Sequence, residues 1–118
     1  SFNRVETSVM DAPKALPADT VMDLSLSLQN LSSYPVRWAE GGREVKLEYR
    51  IFRGDKLVLK GQAVDAFPDE GLAPGEKQIW RVHVQAPSDP GEYRLRYQFL
   101  VEGLFSGRSG NFCELEVY

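Results

Sequence analysis

The sequence predicts an all-β domain, and three observations support this class. Segments along the whole chain alternate apolar and polar residues with a period of two, which is typical of strands buried on one face. Two Pro-Gly pairs, Pro74-Gly75 and Pro90-Gly91, each precede such a segment and supply the turn before it. No segment has the pattern of an amphipathic helix. We therefore expect strands joined by turns and loops.

Seven strands are predicted, at residues 2–10, 20–30, 44–53, 56–64, 78–86, 92–102 and 111–118. The clearest alternation is in residues 20–30, where leucines lie on one face and serines on the other. Gly54-Asp55 is a tight turn that makes the third and fourth strands a hairpin. Seven short strands without an internal repeat predict an immunoglobulin-like antiparallel β-sandwich, and the single cysteine excludes the antibody-type variant with its conserved disulfide.

The alternation also assigns a core. Tyr93, two residues after the second Pro-Gly turn, is in the position of a tyrosine corner, whose hydroxyl bonds to an upstream backbone group. The inward-facing positions are predicted to be Leu24, Leu26, Leu28, Leu47, Tyr49, Trp80, Val82, Tyr93, Leu95, Tyr97 and Phe99.

Composition predicts one domain over residues 1–118, and we expect it to be part of a longer polypeptide. The 14 basic and 17 acidic residues are mixed along the chain and give a net charge of −3, so no nucleic-acid partner is expected. Apolar runs of only a few residues predict no direct insertion into a membrane.

Residues able to carry out chemistry are few. His83 lies on the polar face of a predicted strand and Cys113 alternates into the last strand, so neither indicates a catalytic or zinc site. Asp65, Asp69 and Glu70 could line a calcium loop, but their spacing matches no EF-hand and favours an acidic turn. We expect no enzyme activity, no metal and no cofactor.

Aromatic residues in the predicted loops allow two interpretations. Tyr34, Trp38, Phe67 and Phe105 lie outside the alternating core positions. Flat rings stack on the C–H surfaces of sugars, while neighbouring charged groups bind the hydroxyls. Alternatively, the rings plug the ends of the sandwich.

Trp38 and Phe105 follow the second and sixth predicted strands, so their loops should emerge at one end and bring the two rings together. Arg37, Glu102 and Arg108 are close to them in sequence and could bind hydroxyls or an acidic substituent. The predicted ligand site therefore consists of Trp38, Phe105, Tyr34, Arg37, Glu102 and Arg108.

Several segments carry a family resemblance, and they occur in the order Asn30-Leu31 leading to Trp38, Val45-Lys46-Leu47-Glu48-Tyr49-Arg50, Leu72-Ala73-Pro74-Gly75, Ala86-Pro87 with Pro90-Gly91-Glu92-Tyr93, and Leu100-Val101-Glu102-Gly103-Leu104-Phe105. Over about residues 20–118 the chain resembles the accessory β-sandwich domains of bacterial surface-polysaccharide machinery. Such domains occur C-terminal to glycosyltransferases and on the ATPase subunit of O-antigen ABC exporters.

The resemblance implies a non-catalytic module that binds a polysaccharide or oligosaccharide during its assembly or export. We expect it in the cytoplasm, since a single cysteine is compatible with a reducing compartment. It also implies a parent ATPase or glycosyltransferase domain, and a homodimer formed by strand exchange. The alternative is a structural or protein-interaction domain that spaces or dimerises a larger enzyme without binding sugar. Exposed loop aromatics would favour the first function, whereas burial of all of them would favour the second.

Overall fold

The computed structural model describes residues 4–38, 44–65, 67, 71–107 and 110–118. In these residues the chain forms two β-sheets and no helix, which confirms the predicted all-β sandwich. Accordingly, no helix in the described ranges has the length and apolar character needed to cross a membrane.

Nine strands make up the two sheets. Their bounds are β1 (Val5–Met10), β2 (Ala15–Leu16), β3 (Val21–Asn30), β4 (Val45–Arg53), β5 (Lys56–Gln62), β6 (Lys77–Gln85), β7 (Gly91–Val101), β8 (Leu104–Ser106) and β9 (Cys113–Val117). The small sheet has the order β1-β3-β6, and the large sheet has the order β2-β9-β7-β4-β5, with β8 also paired to β7.

Seven of these strands correspond to the predicted seven, and the two short strands, β2 and β8, are additional. β2 lies in the segment 11–19 that we predicted as a loop, and it pairs with β9 in parallel, so the sandwich is not purely antiparallel. Two residues are too few to show an alternation, so sequence periodicity cannot detect such a strand.

β8 lies in the segment 103–110, which we predicted to be a glycine-rich connection. Glu102 and Gly103 both have positive φ angles, 52° and 77°, and form a two-residue turn between the paired residues Val101 and Leu104. Positive φ at both turn positions is typical of the tightest hairpins, which usually have Asn or Asp before Gly. Glutamate in that position explains why the sequence did not predict this hairpin.

The core lies between the two sheets. Of the eleven residues predicted to face inward, ten are buried, and Trp80 is partly buried. Loop residues complete the core, because Val36 and Leu72 form an isolated antiparallel bridge and are both buried. This bridge draws the segment before Trp38 onto the sandwich.

The tyrosine corner is present. The Tyr93 hydroxyl donates a hydrogen bond to the carbonyl oxygen of Asp89 at 2.6 Å, four residues upstream. The ring is buried, and the guanidinium carbon of Arg53 lies 5.2 Å from its centre. The hydroxyl therefore ties the start of β7 to the preceding turn.

Replacing Tyr93 by Phe removes this hydrogen bond while retaining the buried ring. We expect Tyr93→Phe to lower the free energy of unfolding by about 0.5–1.5 kcal/mol, the usual net value of one hydrogen bond. Chemical denaturation of both proteins measures the difference. An unchanged midpoint would make Tyr93 an ordinary core aromatic.

Candidate functional site

Trp38 is buried inside the sandwich, with 5% of its surface exposed. Its ring stacks on Phe67 and Phe99, with centres 5.6 and 5.8 Å away, and meets Trp80 edge-on at 4.9 Å. Phe99 belongs to the large sheet and Trp80 to the small one, so this aromatic cluster joins the two sheets. The ring of Trp38 is placed as the plugging interpretation predicts.

Phe105 has the opposite environment, because 62% of its surface is exposed. It lies in β8 and pairs with Leu100 of β7, which neighbours the core residue Phe99. Since successive residues of a strand point to opposite faces, Leu100 and its partner Phe105 point away from the core.

The expectation that Trp38 and Phe105 approach each other is therefore wrong. Trp38 packs on the inner face of the large sheet, whereas Phe105 lies on the outer face of the same sheet. The β8 hairpin is the cause, since it folds Phe105 back along the outside of β7 instead of leaving it in a loop at the end of the sandwich.

The other predicted site residues are dispersed. Tyr34 is 77% exposed, in a loop whose backbone is held by Asn30, and Arg37 is also exposed. Glu102 shares the hairpin of Phe105, and one of its carboxylate oxygens accepts a hydrogen bond from the backbone of Glu44 at 3.3 Å. Arg108 lies outside the described residues.

The outer face of the large sheet brings Phe105 together with charged and aromatic side chains that the sequence analysis did not single out. We call it the Arg–Phe face, and its members are Glu48, Arg50, Phe52, Arg94, Arg96, Phe105 and Phe112. Each arginine lies over at least one ring. Cation–π contacts of this kind stabilise a guanidinium group and restrict its orientation.

Arg96 lies between two of these rings. Its guanidinium carbon is 5.2 Å from the centre of Phe52 and 4.6 Å from the centre of Phe112. Its Nε is shielded from solvent and has no hydrogen-bond partner among the described residues. Burial, and then the charges of Arg50 and Arg94, lower the pKa of Arg96 below its usual value. The group remains charged at neutral pH because an arginine pKa starts so high.

Arg50 is held by a carboxylate as well as by a ring. Its Nη1 lies 2.9 Å from Glu48, and each of these side chains is only 16% exposed. The guanidinium carbon of Arg50 lies 4.8 Å from the centre of the Phe105 ring. An exposed ring on β8 thus lies beside a hydrogen-bond donor and an acceptor on β4, and both strands pair with β7.

Arg94 and Arg96 flank the inward-facing Leu95, so the alternation in the sequence predicts them on the opposite, polar face, where the structure places them. The pairing of β4 with β7, which sets Arg50 opposite Arg96, is a long-range feature. Alternation within a strand determines which face is buried, but it does not determine which residues of two strands distant in sequence lie opposite each other. The arginines could therefore be placed outside, but not beside one another.

His83 and Cys113 acquire no catalytic partners in the described parts of the chain. No group of three His, Cys, Asp or Glu side chains there could hold a metal ion. Burial and the nearby Glu114 raise the pKa of the Cys113 thiol, which makes it less reactive at neutral pH. Of the three acidic residues in the predicted acidic turn, Asp69 and Glu70 lie outside the described residues.

A concave surface lies where β5 approaches the linker between β6 and β7. It is an open cleft of about 570 Å³ with Tyr49 and Tyr93 among its lining residues. Its polar groups are largely engaged by the protein, because Asp19 accepts a hydrogen bond from Ser88 and Arg53 donates one to Pro90. The Arg–Phe face is the stronger candidate, since it presents a largely exposed ring beside a charged pair.

Comparison with known proteins identifies no family. No protein-family model matches the sequence, and no curated protein matches it.

Solved structures do resemble the fold. The CARDB domain of the PF1109 protein from Pyrococcus furiosus, in complex with di-metal ions, superposes with a TM-score of 0.51 at 14% identity over 97% of this chain and 85% of that one. The alkylpurine DNA glycosylase AlkC of Pseudomonas fluorescens, bound to DNA with an abasic site analog, gives 0.59 at 17% identity, over 100% of this chain and 31% of that one.

A β-glucosidase mutant from Listeria innocua in complex with laminaribiose gives a TM-score of 0.55 at 17% identity, over 97% of this chain and 16% of that one. In the glycosylase and the glucosidase the matching region is thus a minor part of a longer protein. At these identities the likeness shows the fold alone: the chain is a β-sandwich of the kind found both as a CARDB domain and within a glycosidase.

Proposed function

We propose that the chain is a non-catalytic carbohydrate-binding module that recognises a bacterial surface polysaccharide on its Arg–Phe face during assembly or export of the glycan. The observation that carries this proposal is the exposed ring of Phe105 beside the Arg50–Glu48 pair. The module would act in the cytoplasm, joined to an ATPase or glycosyltransferase domain, and as a homodimer.

The chemistry of the face suits a sugar. The ring of Phe105 offers an apolar surface to the C–H groups of a pyranose. Arg50 supplies donors and Glu48 supplies acceptors, which are the groups that hydroxyls require. Because both side chains are held by each other, little conformational entropy remains to be lost when a ligand binds.

Two further observations support binding over a purely structural role. Tyr34 and Phe105 are exposed, whereas a domain that only spaces its neighbours has no need to present aromatic rings to solvent. A domain of similar fold also occurs in a β-glucosidase that was crystallised with laminaribiose. The latter is a property of that protein and adds a precedent for sandwich domains in carbohydrate enzymes.

The test is a titration of bacterial surface polysaccharides against the chain and a Phe105→Ala variant. We expect Phe105→Ala to weaken glycan binding by about tenfold or more, equivalent to about 1.4 kcal/mol, while the melting temperature changes little. Leu104→Ala is the matched control, because Leu104 is the adjacent exposed residue of β8 and points to the other face.

Equal losses in both variants would place the glycan elsewhere. Failure of every polysaccharide to bind, together with self-association of the chain, would favour the structural or dimerisation domain.

A further inference from the structure

Three cationic residues lie in one row across the Arg–Phe face and its neighbouring edge strand. The pairing of β4 with β5 places Lys60 directly opposite Arg50, and the pairing of β4 with β7 places Arg96 directly opposite Arg50. Adjacent strands are about 4.8 Å apart, so the row spans about 10 Å. Arg50 and Arg96 point away from the core, since their strand neighbours Ile51 and Leu95 are buried. Lys60 is exposed and shares their face, because it is directly opposite Arg50.

Such a row is costly for a folded domain. Directly opposite residues have Cβ atoms only about 5 Å apart, and like charges in these positions destabilise a sheet. Among the described ion pairs, only Arg50 of the three has a carboxylate partner, Glu48. The row therefore retains an excess positive charge on a chain whose formal net charge is −3.

The aromatic rings of the Arg–Phe face reduce the destabilisation caused by this row, and they leave the positive charges of the arginines in place. Arg96 is held between Phe52 and Phe112, and Arg50 lies over Phe105. Aromatic faces stabilise a guanidinium group without forming an ion pair with it, so the donors at its end remain able to bind an anion. Repulsion from its neighbours also contributes to the lowered pKa of Arg96.

We propose that the Lys60–Arg50–Arg96 row is a subsite for an anionic substituent, a carboxylate or a phosphate group, of the bound glycan. The proposal rests on the proposed function, and it assigns the ligand to the acidic polysaccharides. Arginine forks match both groups in geometry, and an anion between the three cations removes their mutual repulsion. Stacking of an adjacent sugar on Phe105 would fix the orientation of the bound glycan.

Calorimetry with a galacturonate trimer and its methyl ester tests the inference, because esterification removes the carboxylate charges and leaves the sugar rings unchanged. We expect the acid to bind at least about tenfold more tightly than the ester at low salt, and this preference to weaken as salt rises. Galactose 1-phosphate compared with galactose extends the test to a phosphate group.

Three variants locate the effect. Lys60→Gln should abolish most of the preference for the charged probe and leave the affinity for the ester unchanged. Arg96→Gln should also abolish most of this preference. Arg81→Gln is the matched control, since Arg81 carries the same charge on the small sheet, where it bonds to Ser25. Lys60 is exposed, so its replacement keeps the test valid if Arg96→Gln does not fold.

The two proposals can fail separately. Equal affinity for the acid and the ester would overturn the anionic subsite and leave glycan binding intact. A preference that survives in both row variants would also overturn it. Tighter binding of a DNA oligonucleotide than of either charged sugar would replace the glycan with a nucleic acid. If neither charged sugar binds, the subsite is wrong, and the Phe105→Ala titration alone then decides glycan binding.

Discussion

Replacing Trp38 by Ala should lower the free energy of unfolding by about 3–5 kcal/mol, as expected for the loss of a buried tryptophan. The ring is stacked on Phe67 and Phe99 and meets Trp80 edge-on, so its removal leaves a cavity between the sheets. Aromatic pairs contribute about 0.5–1.5 kcal/mol beyond the area that they bury. Denaturant unfolding followed by circular dichroism measures the change.

The control for Trp38→Ala is Tyr34→Ala. Tyr34 is a loop aromatic from the same segment but is exposed, so its replacement should change stability by less than about 0.5 kcal/mol. If Trp38→Ala cost less than about 2 kcal/mol and abolished glycan binding, Trp38 would be a ligand-stacking residue after all.

The positions of Trp38 and Phe105 could not be predicted from the sequence. Both are aromatic residues between clear strands, and their local sequences contain nothing that separates a plug from a ligand contact. The positions of the two rings depend on the Val36–Leu72 bridge and on the turn at Glu102-Gly103. Neither feature produces a periodic sequence pattern. The bridge carries the segment before Trp38 onto the core, and the turn folds Phe105 onto the outside of the large sheet.

The core and the main strands were predictable for the opposite reason. In β3, β6 and β7 the alternation extends over nine or more residues. Such an alternation determines which face of the strand is buried, and this does not depend on which strand lies beside it. Register between strands is added by the whole fold, and it alone sets Arg50 between Lys60 and Arg96. The predicted site therefore included Phe105 but none of the arginines on the Arg–Phe face.

The aromatic residues divide between two tasks according to the face they occupy. Rings on the inner face, such as Trp38 and Phe99, join the sheets and contribute to stability. Rings on the outer face, such as Phe52 and Phe112, contact the guanidinium group of Arg96, which is not part of the core. Substitutions on the two faces should thus separate folding from binding, which a comparison of core and surface variants can establish.

Truncation of Leu26 or Leu95 to Ala should lower the free energy of unfolding by about 2–5 kcal/mol. Leu26 lies at the centre of the small sheet and Leu95 at the centre of the large one, and both are completely buried. Each truncation removes buried apolar atoms and leaves a cavity that a rigid sheet cannot close. Chemical denaturation measures the loss of stability as a shift of the unfolding midpoint at an unchanged m value.

Ile79→Ala is the matched control for these two variants. Ile79 lies in β6, next to the core-facing Trp80, but its own side chain points to solvent. Its truncation should cost less than about 1 kcal/mol, because little apolar surface returns to water. Losses below about 1 kcal/mol for both Leu26→Ala and Leu95→Ala would mean that the inner and outer faces have been exchanged. The Arg–Phe face would then lie in the core, and neither the glycan site nor its anionic row could exist.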